Sequence, residues 1–535
     1  MTILNSTNVT LHPSTGDWGG CALIVLQRAL LLIAMSFSFA FAQDLATVPT
    51  YHWANAYLQR LALRHREVGL TFEHLPFSKQ ETKAFAQKFY NMSELTFAER
   101  FWTKRLSAYF IEHDAQPPRL QIGGRLIERA GRINDRARSR TALMTDLAFF
   151  PHRHLALVNT IRVDQELRDD PNYLGKRWRG FTGYTEQAYA VLHFDKYVAK
   201  FGRDFLWWGR GYDATLLLSD FSRPLDQFYG RMAFNTFRLH YVAAKLDPVR
   251  LPDSLQASPV HNFAERYLSA VRAELVFNPR VLTVSATQMV IYGGANRGFE
   301  WYYLNPLLIF HGEQLNEARK GNTFLALDFS LRPVARAELY GQLLIDDYQI
   351  ERTGKRDLEP SEMGYMFGGE LAEPFHLRGV SLGAEYTRVA NRTYNTLFAW
   401  EKFLHRNRPL AHFLGNDFDR MLVHGHAYLG ANFTLDAVFE ARRRGEGRID
   451  STFDAPWLKV EAGESYSEKF PNGVVERSKH VQFELLWHPR AAFYLSLHAL
   501  HSRYHDFAHQ AGADKTEKSI FVKLWWENAW RLGLD

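Results

Sequence analysis

The chain has 535 residues, 46% of them hydrophobic and 14% aromatic, including Trp 13, Tyr 24 and Phe 40, yet its mean hydropathy is only −0.30. That combination argues against a bundle of membrane helices, which would be greasier, and fits a membrane β-barrel, in which lipid-facing residues alternate with polar lumen-facing ones. A formal net charge of +6 does not choose between acidic lipid, acidic polysaccharide and nucleic acid.

The N-terminus reads as an address. Arg28 precedes an apolar stretch that ends at Ala40-Phe41-Ala42, a small-x-small cleavage site before Gln43, as in a secretory signal peptide. Met1 to Gly20 are polar and precede this signal, so the true start is expected downstream of Met1. Cys21, the only cysteine, falls before the cleavage point. The mature chain is therefore expected to carry no disulfide, cysteine metal site or cysteine nucleophile. After Ala42 no run reaches the roughly 18 apolar residues a membrane helix needs.

Residues from about Tyr51 to Glu112 carry helical periodicity. Trp53, Tyr57 and Leu61 recur one turn apart. Ser78-Lys79-Gln80-Glu81 is a capping-box pattern opening a second helix to Tyr90, and Ser93 precedes a third, Phe97 to Ile111. Gln116-Pro117-Pro118 closes this unit. The expected division is thus 1–42, polar extension and signal; 43–118, helical unit; and 119–535, a β domain.

From about Leu120 the period becomes two. In Ala335 to Asp346, Ala337, Leu339, Gly341, Leu343 and Ile345 share one face while Glu338, Tyr340, Gln342 and Asp346 share the other, which suits lipid on one side and water on the other. The pattern recurs at Leu155 to Val163, Phe237 to Ala243, Tyr267 to Phe277, Val380 to Tyr386, Leu435 to Ala441, Val481 to Trp487, Phe493 to Ala499 and Ile520 to Trp526. A soluble sandwich or propeller would alternate too. Aromatics at the ends of the apolar faces, and Trp525, Trp526 and Trp530 in a last strand near the C-terminus, point instead to a barrel with interfacial girdles.

No phosphate loop, nucleophile elbow, zinc-protease motif or calcium loop occurs, so no catalytic, cofactor or metal site is expected. His424 and His426 have strand spacing and read as a lumen or rim pair. Asp346-Asp347 are adjacent on a strand and should point to opposite sides, at a strand end. Arg442-Arg443-Arg444 with Arg448 reads either as a solvated hairpin tip or as a polyanion contact, because guanidinium groups bind carboxylates and phosphates in pairs. The run Arg125, Arg129, Arg132, Arg136, Arg138 and Arg140 divides the same way.

Phe205 to Asp226 is crowded with special-purpose residues: Trp207, Trp208, Gly209, Gly211, Ser219, Asp220, Arg223 and Pro224. The glycines and the proline suit a chain that must bend within or beside a barrel wall. The two tryptophans and an Asp220–Arg223 charge pair would hold that inward fold. Trp208-Gly209-Arg210-Gly211, Leu216-Leu217-Leu218-Ser219 and Arg223-Pro224 resemble the Trp-Gly-Pro-Gly, Leu-x-Leu-Ser and Arg-Pro signature of the Wzi-like capsule-assembly proteins. Tyr292-Gly293-Gly294, leading to Asn305-Pro306, and Tyr340 to Tyr348 with Asp346-Asp347 carry the same resemblance, which covers most of the mature chain. Arg210 stands where the family has proline.

The resemblance implies a mainly β protein, a transmembrane antiparallel barrel of about 18 strands preceded by a periplasmic helical unit. It implies an outer-membrane lectin, not an enzyme, that helps hold capsular polysaccharide at the cell surface. The expected partners are acidic polysaccharide, outer-membrane lipid and other capsule export components, not nucleic acid, and the expected state is a monomer. A porin-like channel and, further off, a membrane enzyme acting on lipid or glycan are the alternatives.

Overall fold

The computed structural model describes residues 45–533 apart from 66–71, 93, 111–117, 135, 174, 252–261, 278–280, 317–319, 350–357 and 462–463. The expected signal segment, Ser93 and Gln116-Pro117 lie outside the described residues. Three helices come first: α1 (Trp53–Arg64), α2 (Lys79–Tyr90) and α3 (Phe97–Phe110). Ser78 caps α2 through the expected reciprocal bonds with Glu81, Ser78 N to Glu81 Oε2 at 2.8 Å and Glu81 N to Ser78 Oγ at 3.1 Å. Thr96 and Glu99 make the same exchange at the start of α3, so the cap there is Thr96.

Barrel strands follow: β1 (Arg119–Ile133), β2 (Arg136–His152), β3 (Leu155–Asp164), β4 (Thr182–Phe194), β5 (Tyr197–Asp204) and β6 (Leu225–Ala233). Next come β7 (Phe237–Lys245), β8 (Phe263–Phe277), β9 (Leu282–Gly294), β10 (Asn322–Leu331), β11 (Ala337–Asp347) and β12 (Glu362–Ala372). The last are β13 (Val380–Val389), β14 (Phe418–Gly430), β15 (Phe433–Arg444), β16 (Glu476–Arg490), β17 (Phe493–His505) and β18 (Lys515–Gly533). Each pairs antiparallel with its neighbour, and β1 pairs with β18 from Arg119↔Gly533 to Ile133↔Ser519. First and last strands thus close an 18-stranded barrel, leaving no open edge and removing the soluble sandwich.

Alternation sorts the side chains as expected. On β11, Glu338, Tyr340 and Gln342 are buried towards the lumen while Leu339 is 51% exposed on the outside. Other outward residues are Leu143, Leu157, Phe228, Leu327, Phe367, Phe439 and Val522. Phe433, Trp487 and Phe493 touch one another around one end of the wall (Phe433–Trp487 6.3 Å, Trp487–Phe493 6.2 Å), as an interfacial girdle does.

That end carries the short turns 153–154, 195–196, 431–432 and 491–492, and both ends of the barrel chain. The opposite end carries the long segments 205–224, 295–321, 390–417 and 445–475. Short turns are periplasmic and long loops extracellular in barrels of this type. The helices enter the periplasmic mouth. Trp53, Tyr57, Trp102 and Phe110 form one core with Ile127, Met144, Tyr494 and Trp525 of the wall, and Arg105 donates to His488 O (2.9 Å) and Asn432 Oδ1 (2.9 Å) at two short turns.

Candidate functional site: a closed lumen beneath a basic loop face

Phe205 to Asp226 leaves the extracellular end of β5 and folds into the lumen before returning as β6. Trp207–Trp208 is a two-residue strand paired with His74–Leu75 of the helical unit, in register His74↔Trp208 and Leu75↔Trp207. A loop entering from outside therefore joins, backbone to backbone, a segment entering from the periplasm. Gly209 N donates to Glu73 O at 2.7 Å, and Gly209 has φ +96. A Cβ there would lie 2.5 Å from Thr215 Oγ1, and one on Gly211 would lie 1.8 Å from Ala214 O. Both positions need glycine for conformation or space.

The apolar run that follows fills the lumen. Trp208 and Leu216 to Leu218 are buried in a core with Met289, Phe324, Leu344, Met366 and Val389 of the wall, and with Tyr394, Phe403 and Leu410 of segment 390–417. Ser219 N donates to Leu410 O (2.7 Å), Ser219 Oγ to Ala411 O (2.5 Å) and Tyr394 Oη to Leu216 O (2.6 Å). A second extracellular loop thus clamps the first. Arg210, where the resemblance implies proline, projects to the wall. It bonds Glu338 Oε2 (3.0 Å) and lies 4.7 Å over the Tyr340 ring, while Gln342 Nε2 donates to Arg210 O (2.6 Å). Arg223 lies over Tyr173 and Tyr184 (4.9 and 4.7 Å) rather than on Asp220.

Much of the polar lumen wall is paired internally, although His240 Nε2, Glu274 Oε2, Glu385 Oε1 and His426 Nε2 make no hydrogen bond. Arg272 takes both oxygens of Asp328 (2.6 and 2.8 Å) and Glu274 (2.9 Å), and Arg420 takes Asp213 (2.6 and 2.7 Å) and Glu440 (2.6 Å). His424 and His426 both face the lumen: Tyr212 stacks on His424 at 4.1 Å and His426 Nδ1 meets Asp436 at 2.8 Å. The ligand atoms of His74, His240 and Glu274 lie within 4.8 Å of one another, close enough to share a cation. Arg272 and Arg238 already neutralise that carboxylate, however, and a cation there would face two guanidinium groups.

The loop face is mixed in charge. A register shift between Ile345 and Asp347, a β-bulge, brings Asp346 and Asp347 to one cavity of about 480 Å³ with Glu359, Glu362, Asn322 and Asn395. Adjacent strand residues therefore share a side here, because a bulge breaks the two-residue period. Burial, then the neighbouring Asp347, push the Glu359 carboxyl up to about 7. Tyr292 and Gly293 end β9 beneath segment 295–321, where Tyr292 packs on Tyr303 at 4.5 Å. Asn305 Oδ1 accepts from Leu307 N (3.1 Å), turning the chain at Pro306.

The arginines singled out in the sequence do not form one group. Arg442 reaches Glu440 (2.7 Å), Arg443 faces outwards and pairs with Asp419 (2.9 Å), Arg444 is half-buried, and Arg448 pairs with Asp450 (2.7 Å) in the loop beyond. The denser basic surface was not legible. In segment 165–181, Trp178 is 65% exposed with Arg179 5.5 Å from its ring, and Lys176 and Arg177 beside it are exposed. Arg223, Arg406 and Arg408 stand close by: Arg408 Nη1 donates to Phe221 O (3.2 Å) and its other nitrogen bonds Asp170 of the same segment. Burial lowers the Arg223 pKa, and Arg408 and Arg406 lower it further, partly offset by Tyr184. The only sequence signal was Lys176-Arg177-Trp178-Arg179, four residues with no periodicity around them.

In comparisons with known proteins, the family described as capsule assembly protein Wzi matches residues 92–519. No curated protein matches the chain. Among solved structures, the Escherichia coli protein Wzi, described as an outer membrane protein involved in group 1 capsule assembly and a carbohydrate-binding β-barrel, is similar with a TM-score of 0.57 at 14% identity, covering 91% of this chain and 99% of that one. Pseudomonas aeruginosa OprD is similar at a TM-score of 0.43 and 9% identity, over 77% of this chain and 95% of that one. The match over residues 92–519, more than half of the sequence, places this outer-membrane barrel in the Wzi capsule assembly family.

Proposed function

We propose that this protein holds an acidic capsular polysaccharide on its extracellular loop face, with Trp178 stacking on a sugar ring and Lys176, Arg177 and Arg179 pairing with uronate carboxylates. Arg444 and Arg448 extend the same face towards segment 445–475. Arg442 and Arg443 are held by Glu440 and Asp419 and serve as wall contacts in this reading. The observation that carries it is the pairing of the inner loop with the helical unit beneath a surface rich in exposed cations. A filled lumen leaves the loop face as the place where a polymer can be gripped. The resemblance to a carbohydrate-binding barrel supports the same reading. We read the protein as a binding protein and not an enzyme.

The test is binding of purified full-length protein in detergent to a uronate-containing polysaccharide at low and high salt. The reading expects binding that salt weakens and that W178A/R179A weakens by about tenfold or more, the loss of one stacked ring and one charge pair. Equal binding by the variant, or equal binding of a neutral polymer, would overturn it.

A further inference from the structure

The outside of the barrel carries a basic patch that the polysaccharide reading does not use. On β14 to β18 the outward residues are, from the periplasmic side upward, the Phe433, Trp487 and Phe493 girdle, then Leu485, Leu497, Phe483, Val481 and Ile520. Above them stand Lys479, Arg503, Arg477 and Arg443. The rise from Trp487 to Lys479, at ~3.4 Å per residue along a strand tilted ~40°, is ~20 Å, close to the ~25 Å height of a barrel's apolar band. The cations therefore sit where the outer leaflet's headgroups meet the wall. They surround a depression of about 630 Å³ that also takes in Met421, Ala441, Tyr386 and Tyr504, so charge lies directly above apolar surface.

Their placement runs against sheet stability. Arg443 is directly opposite Arg477, and Lys479 is opposite Arg503. Like charges facing each other across strands are destabilising. Part of the charge is met from within: Arg443 by Asp419, and Arg477 by Asp506 at 3.6 Å. Among the described residues no carboxylate lies within ion-pair distance of Lys479 or Arg503, and Arg503 spends its Nε on His501 Nε2 at 3.2 Å. Lys518, opposite His501, adds a further cation on the same face.

We propose that this patch is a binding site for the phosphorylated disaccharide headgroup of lipopolysaccharide, with Lys479 and Arg503 on a phosphate and the acyl chains on the apolar wall below. The chemistry selects this occupant over a soluble polyanion. A ligand here needs two or more negative charges at headgroup height together with hydrocarbon reaching down over Met421, Phe483 and Val481. A capsular polymer supplies the first and not the second. The proposal is independent of the loop-face site, since Lys479 and Arg503 point to lipid.

The experiment uses full-length protein in detergent, offered bisphosphorylated lipid A, the same lipid after dephosphorylation, and a soluble polyuronate, with bound lipid read by native mass spectrometry. Wild type is expected to retain the bisphosphorylated form about tenfold or more over the dephosphorylated one, and K479Q/R503Q to lose that preference, as the removal of two charge-assisted contacts requires. Heat-modifiable gel migration reports whether the variant has folded. If it has not, the comparison of the two lipids on wild type decides alone. Equal retention of both lipids by wild type would overturn the proposal. So would a folded variant that keeps lipid A while losing the polyuronate, an outcome that would give the patch to the polysaccharide.

Discussion

Gly211 is the tightest point of the inner loop, because a Cβ would stand 1.8 Å from Ala214 O with backbone, not a flexible side chain, in the way. Gly211→Ala is expected to lower stability by about 1–3 kcal/mol, the range for forcing extra atoms into a packed site, and to do so by displacing the turn that leads to Leu216. Gly298→Ala, where nothing lies within 4 Å, is the control and should leave the thermal unfolding midpoint unchanged. An unshifted midpoint for Gly211→Ala would mean that the inner loop is not held as described. At this scale the sequence was informative where a residue type has one use. Paired glycines beside tryptophans marked a bend, and His424 and His426 at strand spacing marked the lumen. It was uninformative where a single irregularity reverses a rule, as the bulge at Asp346-Asp347 does, and where partners are remote: nothing near Arg210 announces Glu338.

Helix α2 is tied to the wall by Glu81, which bonds Arg231 of β6 at 2.6 Å as well as capping its own helix. Burial alone would raise the Glu81 carboxyl, but Arg231 and the Ser78 hydrogen bonds outweigh it and hold it at about 2. A carboxyl depressed in the folded state adds stability that is complete above its ordinary value near 4.5 and is lost as pH falls through about 2. Pepsin cleavage within α2 of the full-length protein is therefore expected to rise as pH falls from about 4 to about 2, and Glu81→Gln to be cut already at the upper end. Identical cleavage of wild type and variant across that window would show that the pair does not anchor the helix. Elements were the most legible level. Alternation located nine barrel strands, because a wall wetted on one face and greasy on the other imposes a period of two on every segment. The strands run on past the alternating apolar segments at the loop side, as β17 does from Ala499 to His505, because the period there continues in polar residues. The third helix was legible as well, with Ser93 expected only to precede it, while the Thr96–Glu99 exchange that opens it carries no signal beyond those two residues.

At the level of the whole molecule, closure of the wall by β1 and β18 could be hoped for from the sequence but not read, since pairing of the two ends leaves no local trace. The same holds for the lumen. A two-residue strand such as His74–Leu75 has no periodicity, and its partner Trp207–Trp208 lies more than a hundred positions away, so no window of sequence contains the contact that joins the inner loop to the helical unit. That contact bears on the two readings with which composition was compatible. With Trp208 and Leu216 to Leu218 packed across the lumen from one side and α1 to α3 from the other, the intact protein is expected to show no steady open-channel steps in planar bilayers. Replacing residues 206–221 with a short glycine-serine linker removes the inner loop and the partner of His74–Leu75, leaving the helical unit held by its own wall contacts alone. That variant is expected to conduct in intermittent steps, as the unpartnered plug moves, and adding E81Q should lengthen the open intervals. Steady steps from the wild-type protein would restore the channel reading. A silent linker variant would mean that the helices alone seal the barrel and that the inner loop serves only to position the extracellular face above it.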